Sequence, residues 1–527
     1  MATKSAALSQ HNDSTTIHSI AFVSLGCPKN LVDSEKMLGL LAEDGIAITP
    51  DHDQADAIII NTCGFLEASK TESIDVIREA IASKITAAKD GRAKRVIVAG
   101  CLVQRHKAQL LDAVPEVDAL VGVFDREHIV KAVRGAAFEP LPEAGRDMGD
   151  YHTVSSFITK PGKKDIGKGY LESDRARLRL TPRHFAYLRV SEGCNQGCTF
   201  CTIPSIRGRM RSKPLNDILS EAEELLADGA FELNLIGQDT TSYGEDIGYT
   251  AAGEGLPGML RALDKLVSKQ APGAWLRLMY AYPSCFTDDM IKSLADCRHV
   301  IKYIDMPLQH INDEILFSMR RKVTRQQTEI LLDKLRKWVP GITLRTTFIS
   351  GFPGETDAQH RELLGFIKDF QFENVGVFEF SPEPGTPAGR LHVQNAVAPD
   401  VATARKEEIM LAQQEIVLKK NRALVGQTIK VLVDEVNPKK KTAIARHTGQ
   451  APDIDGVVLL KKTTASPGEL LTVRITDFNY YDLLAEPVQA TSVPAVVSHG
   501  AKTTKKRLSL PVMGVVNTSV ETRGKRV

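Results

Sequence analysis

Apolar and polar positions alternate in a repeating order along the first quarter of the chain. Apolar runs at 18–25, 57–62, 95–99 and 119–123 read as strands, and helical spacing at 31–44, 67–89, 105–113 and 126–134 reads as helices between them. Such alternation builds a parallel α/β sheet. It resumes with strands at 184–190, 231–236, 275–280, 300–306, 342–350 and 374–380, each followed by helical spacing: 216–228, 257–269, 287–296, 312–319 with 325–337, 357–369 and 400–420. Six βα units predict a partial (β/α)6 barrel, smaller than the eight-fold version, with its chemistry at the C-terminal strand ends. Beyond residue 413 five short strands, at 428–435, 442–446, 456–460, 469–477 and 482–486, predict a small antiparallel β-barrel of oligonucleotide-binding (OB-like) type. The fold class is therefore α/β and multidomain.

The remaining stretches divide the chain. Residues 1–17 read as a disordered tail, 18–135 as the N-terminal α/β domain, 136–182 as a linker, 183–412 as the partial barrel, 413–489 as the β-barrel and 490–527 as a basic disordered tail. The linker is rich in Gly, Pro, Lys and Asp, and its charges read as solvated surface. A formal charge of +2 and 43% hydrophobic residues describe an ordinary soluble protein, and the charge argues neither for nor against a nucleic-acid partner. No apolar run approaches the ~20 residues of a membrane helix, and the first residues lack a signal-peptide core. Eight cysteines in 527 residues are not a secreted disulfide framework, so a reducing cytoplasm is expected.

Cysteine spacing changes the picture most. Cys194, Cys198 and Cys201 stand at C-x3-C-x2-C directly after the strand at 184–190. Three thiolates on one loop suit three irons of a 4Fe-4S cluster, leaving the fourth iron open to a substrate. Structural zinc wants four ligands, usually as paired C-x2-C units, and no second pair exists. Cys27, Cys63 and Cys101 each follow a strand of the first domain, and each has a glycine neighbour, Gly26, Gly64 and Gly100. Loops after parallel strands share one sheet edge, so these three thiols are expected to converge on a second cluster with an open iron. The plainer reading is three small buried hydrophobes; the shared offset favours the site. Cys285 and Cys297 have no partner spacing and read as ordinary small residues.

Further candidates fall at the strand ends of the partial barrel. They are Gly237-Gln238-Asp239, Tyr282-Pro283-Ser284, Pro307-Leu308-Gln309-His310, Gly351-Phe352-Pro353-Gly354-Glu355 and Ser381-Pro382-Glu383-Pro384-Gly385-Thr386-Pro387. Gly351 and Gly354 let backbone amides approach a ligand closely. Glu355 or Asp239 can accept hydrogen bonds from a ribose or an ammonium group, and His310 can donate one. Arg207 and Arg209 can neutralise a carboxylate. Taken singly, such turns are usually turns and such a histidine is as often structural.

The C-x3-C-x-aromatic-C pattern, with Phe200 before Cys201, resembles the signature of radical S-adenosylmethionine (SAM) enzymes. Ser24-Leu25-Gly26-Cys27-Pro28-Lys29-Asn30, Asn61-Thr62-Cys63-Gly64-Phe65, Gly100-Cys101-Leu102 and Asp305-Met306-Pro307-Leu308-Gln309-His310 extend the likeness to the methylthiotransferase family over residues 18–489, and the C-terminal barrel resembles that family's TRAM domain. The resemblance implies two 4Fe-4S clusters, on Cys27, Cys63 and Cys101 and on Cys194, Cys198 and Cys201, with SAM as methyl donor and radical source. Phe200, Gln238, Asp239, His310, Gly351, Gly354 and Glu355 are the expected SAM contacts. No residue stands out as catalytic or as orienting the target. One branch modifies an adenosine beside the anticodon of transfer RNA; the other modifies the β-carbon of an aspartate in the twelfth protein of the small ribosomal subunit. Pro28-Lys29, where the first branch usually has Gln-Met, resembles the second. So does Ala451-Pro452-Asp453-Ile454-Asp455-Gly456, whose acidic residues would suit a basic ribosomal protein. Implied partners are that protein, free or on the ribosome, a low-potential electron donor such as flavodoxin or ferredoxin, and a sulfur donor. A cluster protein that only carries electrons or sulfur is the alternative of another class.

Overall fold

The protein is described by a computed structural model covering residues 17–90, 95–135, 152–153 and 171–488. The expected tails at 1–17 and 490–527, except Ile17, and most of the linker lie outside the described residues. The chain forms two compact units: residues up to the strand at 152–153 with Ala176–Leu178, and residues 171–175 with 179–488.

The first unit alternates β1 (Ser19–Ser24), α1 (Pro28–Glu43), β2 (Ala47–Ile48), β3 (Ala57–Thr62), α2 (Glu67–Asp90), β4 (Arg95–Gly100), α3 (Cys101–His106), β5 (Ala119–Val121), α4 (Ile129–Arg134) and β6 (His152–Thr153). All six strands run parallel in the order β2-β1-β3-β4-β5-β6. β3 is buried at every residue, as a strand covered on both faces must be. Two boundaries differ from expectation. α1 starts at Pro28, because proline's missing N–H is no loss at a first helical position. The third helix starts at Cys101, not 105, because left-handed Gly100 turns the chain straight from strand into helix. β6 and Ala176–Leu178 belong to this unit although both lie within the expected linker: Leu178 donates to Glu35 O, and Arg177 pairs with the Glu35 carboxylate.

The second unit opens with β7 (Phe185–Arg189), β8 (Ser191–Glu192), α5 (Ile203–Ile206), β9 (Arg211–Ser212), α6 (Leu215–Ala227), β10 (Glu232–Ile236), α7 (Gly255–Gln270), β11 (Trp275–Leu278), α8 (Asp288–Asp296) and β12 (Val300–Asp305). There follow α9 (Asp313–Ser318), α10 (Arg325–Trp338), β13 (Thr343–Ser350), α11 (Asp357–Phe370), β14 (Asn374–Glu379), α12 (Pro387–Asn395) and α13 (Pro399–Leu424). Six parallel strands in the order β14-β13-β12-β11-β10-β7 form the open partial barrel that the pattern predicts. Capping boxes, Thr324 with Gln327 and Thr356 with Gln359, start α10 and α11 where the strand-end loops finish. Asp174, expected in a solvated linker, is buried and accepts hydrogen bonds from Arg189 and Lys213.

The chain ends in a closed barrel of β15 (Thr428–Asn437), β16 (Thr442–Arg446), β17 (Val458–Lys461), β18 (Leu470–Asn479) and β19 (Asp482–Pro487). It is not wholly antiparallel: β17 and β19 pair in parallel and close it. Its 446–455 segment packs on the N-terminal ends of the partial-barrel strands through buried charges. Glu232 accepts from Arg277 Nε at 2.6 Å and from Arg446 Nη1 at 2.8 Å, and Arg446 also forks onto Asp434 at 2.8 and 2.9 Å. Asp434 in turn lies 2.8 Å from His184 Nε2. Asp455 accepts from Tyr303 OH at 2.7 Å, Ala451 N at 2.8 Å and Arg345 Nε at 3.2 Å. This corrects the expectation that both acidic residues of the 451–456 motif face a basic partner. Asp453 is exposed, but Asp455 is an internal anchor, because three donors inside this unit satisfy it.

Candidate metal centres

In the first unit Cys27 caps α1, Cys63 follows β3 and Cys101 opens α3 after β4. Since β1, β3 and β4 are parallel neighbours, all three cysteines lie along one sheet edge. The flanking glycines press the loops together. Gly26 has a φ of +92°, and a Cβ there would approach Cys63 Cβ to 2.8 Å; one at Gly64 would meet Leu102 Cα at 2.7 Å. A buried amide pair braces the floor. Asn30 Nδ2 donates to Leu25 O at 2.6 Å, while Asn61 Nδ2 donates to Asn30 O at 2.9 Å and to Ser34 Oγ at 2.7 Å. Asn30 Oδ1 lies 4.0 Å from Cys101 Sγ. Ser73 Oγ donates to Cys63 O at 2.9 Å and fixes that loop to α2. Exposure falls in order from Cys27, exposed, to Cys63, half-buried, to Cys101, buried.

In the second unit the loop of Cys194, Cys198 and Cys201 follows β7 and β8. Gln238 Oε1 accepts the Gly193 N–H at 2.8 Å. Thr199 donates from N to Met319 O at 3.1 Å and from Oγ1 to Ser318 O at 2.9 Å, and its carbonyl accepts from Ala388 N at 3.0 Å. Phe200 packs on the apolar cluster of Ile315, Met319, Ile349, Phe352 and Ala388. The three thiols are therefore on a loop tied to both α9 and α12. Burial pushes the Cys194 thiol up to about 11 and the Cys201 thiol up to about 12. Beside Cys198 Sγ stand Tyr282 OH at 3.6 Å and Arg321 Nη1 at 3.5 Å. A buried cation set against a thiol fits an anionic thiolate-bound group there. Among the described residues no three His, Cys, Asp or Glu side chains close tightly enough for one metal ion. A four-iron cluster bonds each cysteine to a different iron, which three cysteines on one loop can supply.

The expected SAM-side residues line the same strand ends, engaged with one another. Asp239 accepts from Gln196 Nε2 at 2.7 Å and Ser242 Oγ at 2.8 Å. Glu355 accepts from Gly351 N at 2.6 Å and Arg405 Nη1 at 3.1 Å. His310 Nδ1 accepts the Asn312 N–H at 3.0 Å, so its ring proton sits on Nε2, 3.4 Å from Glu355 Oε1. Burial would raise the Glu355 carboxyl, but His310, the Gly351 amide and Arg405 outweigh it and hold it below its ordinary 4.5. The amide of Gly354 donates to Asn395 O at 2.8 Å. Gly351, at φ +73°, lies against Ala402 of α13. Arg207, considered for an outside carboxylate, is buried against Glu192. Cys297 is a buried small residue, as expected, but Cys285 Sγ lies 3.3 Å from Gln196 Nε2 in the polar net beside Cys194. Arg321 and Arg405 escaped the sequence reading, because each sits in a charged stretch that resembles a helix surface.

Comparison with known proteins agrees with this layout. The "Uncharacterized protein family UPF0004" profile matches residues 19–122, the Radical SAM superfamily 188–367 and the TRAM domain 425–488. Among solved structures, the radical SAM methyltransferase TsrM of Kitasatospora setae, with tryptophan and a SAM analogue bound, has a TM-score of 0.52 at 15% identity over 71% of this chain and 75% of its own, a likeness of fold. The ribosomal protein uS12 methylthiotransferase RimO of Bdellovibrio bacteriovorus is 40% identical over 472 residues, 89% of this chain and 97% of the relative. RimO of Geobacter sulfurreducens is 41% identical over 89% of this chain and 98% of its own length. Identity of that order over nearly the whole of both chains does not arise from a shared fold alone, and the chain belongs to the RimO family of methylthiotransferases.

Proposed function

We propose that this chain is a radical SAM methylthiotransferase that places a methylthio group on the β-carbon of an aspartate of ribosomal protein uS12. The observation that carries it is identity of about 40% to RimO relatives along 89% of the chain, with all three family domains in order. The transfer-RNA reading is not favoured, since the relatives named above act on a protein. The cofactors are two 4Fe-4S clusters and SAM, which when bound supply a carbon-centred radical and a transferable methyl and sulfur.

The site assignments follow from this reading. Cys27, Cys63 and Cys101 hold one cluster, and Cys194, Cys198 and Cys201 hold the other. Phe200, Gln238, Asp239, His310, Gly351, Gly354 and Glu355 frame the SAM side. Gln238 holds the start of the cluster loop through Gly193, Asp239 holds Gln196, and Glu355 joins the strand-five turn to His310 and to α13 through Arg405. Phe200 anchors the cluster loop on the apolar residues Ile315, Met319 and Phe352. The domain limits proposed from sequence, 18–135, 183–412 and 413–489, accompany these assignments. A low-potential electron donor such as flavodoxin or ferredoxin, a sulfur donor and a cytoplasmic site of action complete it; no described helix is long and apolar enough to cross a membrane.

Mass spectrometry of small-subunit ribosomal proteins from cells with and without the gene tests this function. The expected result is a methylthio adduct on one aspartate of uS12, present with the gene and absent without it or with Cys27→Ala or Cys198→Ala. An unmodified uS12 in gene-bearing cells would overturn it.

A further inference from the structure

Arg321 is a buried cation with no carboxylate partner among the described residues. It is 4% exposed, no ion pair is formed by it among the described residues, and its Nε has no partner. Buried guanidiniums are ordinarily matched by an anion, since an uncompensated buried charge is strongly unfavourable. Its other nitrogens go to Pro307 O and, at 3.5 Å, to Cys198 Sγ. The guanidinium lies 4.1 Å over the Tyr282 ring, whose hydroxyl stands 3.6 Å from the same sulfur. That hydroxyl is also 3.2 Å from Arg321 O, so phenol, guanidinium and thiol form one closed group.

The backbone aims this side chain. After α9 the chain runs Met319-Arg320-Arg321-Lys322, and the two residues flanking Arg321 have positive φ, +56° at Arg320 and +51° at Lys322. L-residues with side chains rarely adopt that region, and here two of them turn an otherwise exposed basic run so that its middle member points inward. The same turn receives both hydrogen bonds of Thr199, the residue after Cys198. The turn and the cluster loop are thus a single rigid piece. The purely structural reading, an arginine stacked on tyrosine for packing, explains the ring contact. It does not explain a second hydrogen-bond vector on a sulfur, or the absence of a carboxylate partner among the described residues.

We infer that Arg321 and Tyr282 are positioning residues for electron transfer: together they stabilise the reduced form of the cluster on Cys194, Cys198 and Cys201, and so raise its reduction potential. The inference rests on the assignment of a cluster to those cysteines. One-electron reduction adds one negative charge to a group already anionic through its three thiolates. A fixed cation at one of those thiolates favours the added charge, and the Tyr282 hydroxyl, whose one proton is shared between Arg321 O and that sulfur, adds to it, because hydrogen bonding to cluster sulfurs and local charge set such potentials. The Cys198 sulfur is singled out for this. Among the described residues its neighbours in the loop, Cys194 and Cys201, accept only backbone N–H groups, of Gln196 and Ile203, both at 3.4 Å.

The test is an anaerobic redox titration, followed by electron paramagnetic resonance, of the full chain with Cys27, Cys63 and Cys101 replaced by alanine, so that one cluster reports. Iron and acid-labile sulfide are counted in each sample. Arg321→Met is expected to lower the ratio of reduced to oxidised cluster at a fixed potential by about tenfold, which is about 59 mV for one electron. Tyr282→Phe is expected to shift it in the same direction by less, and Arg321→Lys, which keeps the charge, to recover most of the loss. Full cluster content with an unchanged potential in Arg321→Met overturns the inference. So does weaker SAM binding at unchanged potential, which would place the guanidinium on the SAM side. Should Arg321→Met fail to assemble a cluster, Tyr282→Phe and Arg321→Lys decide: identical potentials in both and in the parent overturn it. A parent that takes up no iron on these cysteines instead removes the site assignment itself.

Discussion

Glu232 offers the sharpest test of how the small β-barrel is joined to the partial barrel. It is fully buried at the first residue of β10 and accepts from Arg277 at 2.6 Å and from Arg446 at 2.8 Å. Glu232→Gln keeps the shape and removes the charge. Arg446 then retains its fork on Asp434, whereas Arg277 retains Thr448 O at 2.9 Å, the Tyr303 ring and a neutral amide oxygen in place of its carboxylate, and its Nη2 has no partner among the described residues to begin with. One stranded guanidinium places the loss near the lower end of the range for breaking a buried pair, about 3 kcal/mol. At roughly 2 °C per kcal/mol for a large domain, the unfolding transition should fall by about 6 °C in scanning calorimetry of the cluster-loaded chain. Removing both partners, as Glu232→Met with Arg277→Met, should recover much of this, since a matched apolar replacement leaves no orphaned charge. The pH dependence has a definite sign. Burial raises the Glu232 carboxyl, but Arg446 and Arg277 outweigh it and hold it below its ordinary 4.5. Its stabilisation is therefore complete above pH 4.5 and lost only as pH falls through the lower folded value, so the deficit of Glu232→Gln should be flat between pH 6 and 8. An unshifted transition, or a double variant worse than the single one, would refute the reasoning; unchanged iron content would confirm that the effect is on stability and not on the metal centres.

The other expectations concern the thiols and the barrel junction. Gly26→Ala puts a Cβ 2.8 Å from Cys63 Cβ at a φ of +92°, so iron bound by the first unit should be lost while the Cys194–Cys201 set still loads, giving half the parental iron in a colorimetric assay. Burial holds the Cys194 and Cys201 thiols near 11 and 12, and iron binds only thiolates; reloading of chelator-stripped protein should weaken by about tenfold per thiol for each unit of pH lost between 8 and 6. Equal iron affinity at both ends of that range would count against buried thiol ligands. Asp455→Ala orphans Tyr303 OH and the Ala451 amide while Arg345 keeps Asp305 at 2.7 Å, so a loss of about 2–3 kcal/mol is expected in urea unfolding. A loss within error of zero would return Asp455 to the role of a surface acid.

What the sequence discloses and what it hides divide along a physical line. The strands and most helices were legible because burial of one face imposes a period, and a strand such as β3, buried at every residue, is apolar over most of its length. The six cysteines were legible because parallel topology carries every strand end to one edge, so spacing alone locates Cys27, Cys63 and Cys101 there. The helix start at Cys101 was missed because Cys-Leu-Val continues an apolar run that reads as strand end. Charged residues were the larger failure. Asp174 in a polar linker reads as solvated surface, and Arg207 in a basic turn and Asp455 in an acidic motif read as facing an outside partner, since no periodicity marks a single buried charge and its partner lies elsewhere. Arg189 lies 15 residues from Asp174, but Arg345 is 110 residues from Asp455 and Arg321 is 123 from Cys198. The atoms that would bind iron are thus close together in the chain, whereas the groups that set their charge and hydrogen bonding are brought in from other strands by the fold. Two chains with the same C-x3-C-x2-C loop can therefore share a cluster and differ in its potential, and the difference would reside at positions such as Arg321 and Tyr282 that the loop itself does not reveal.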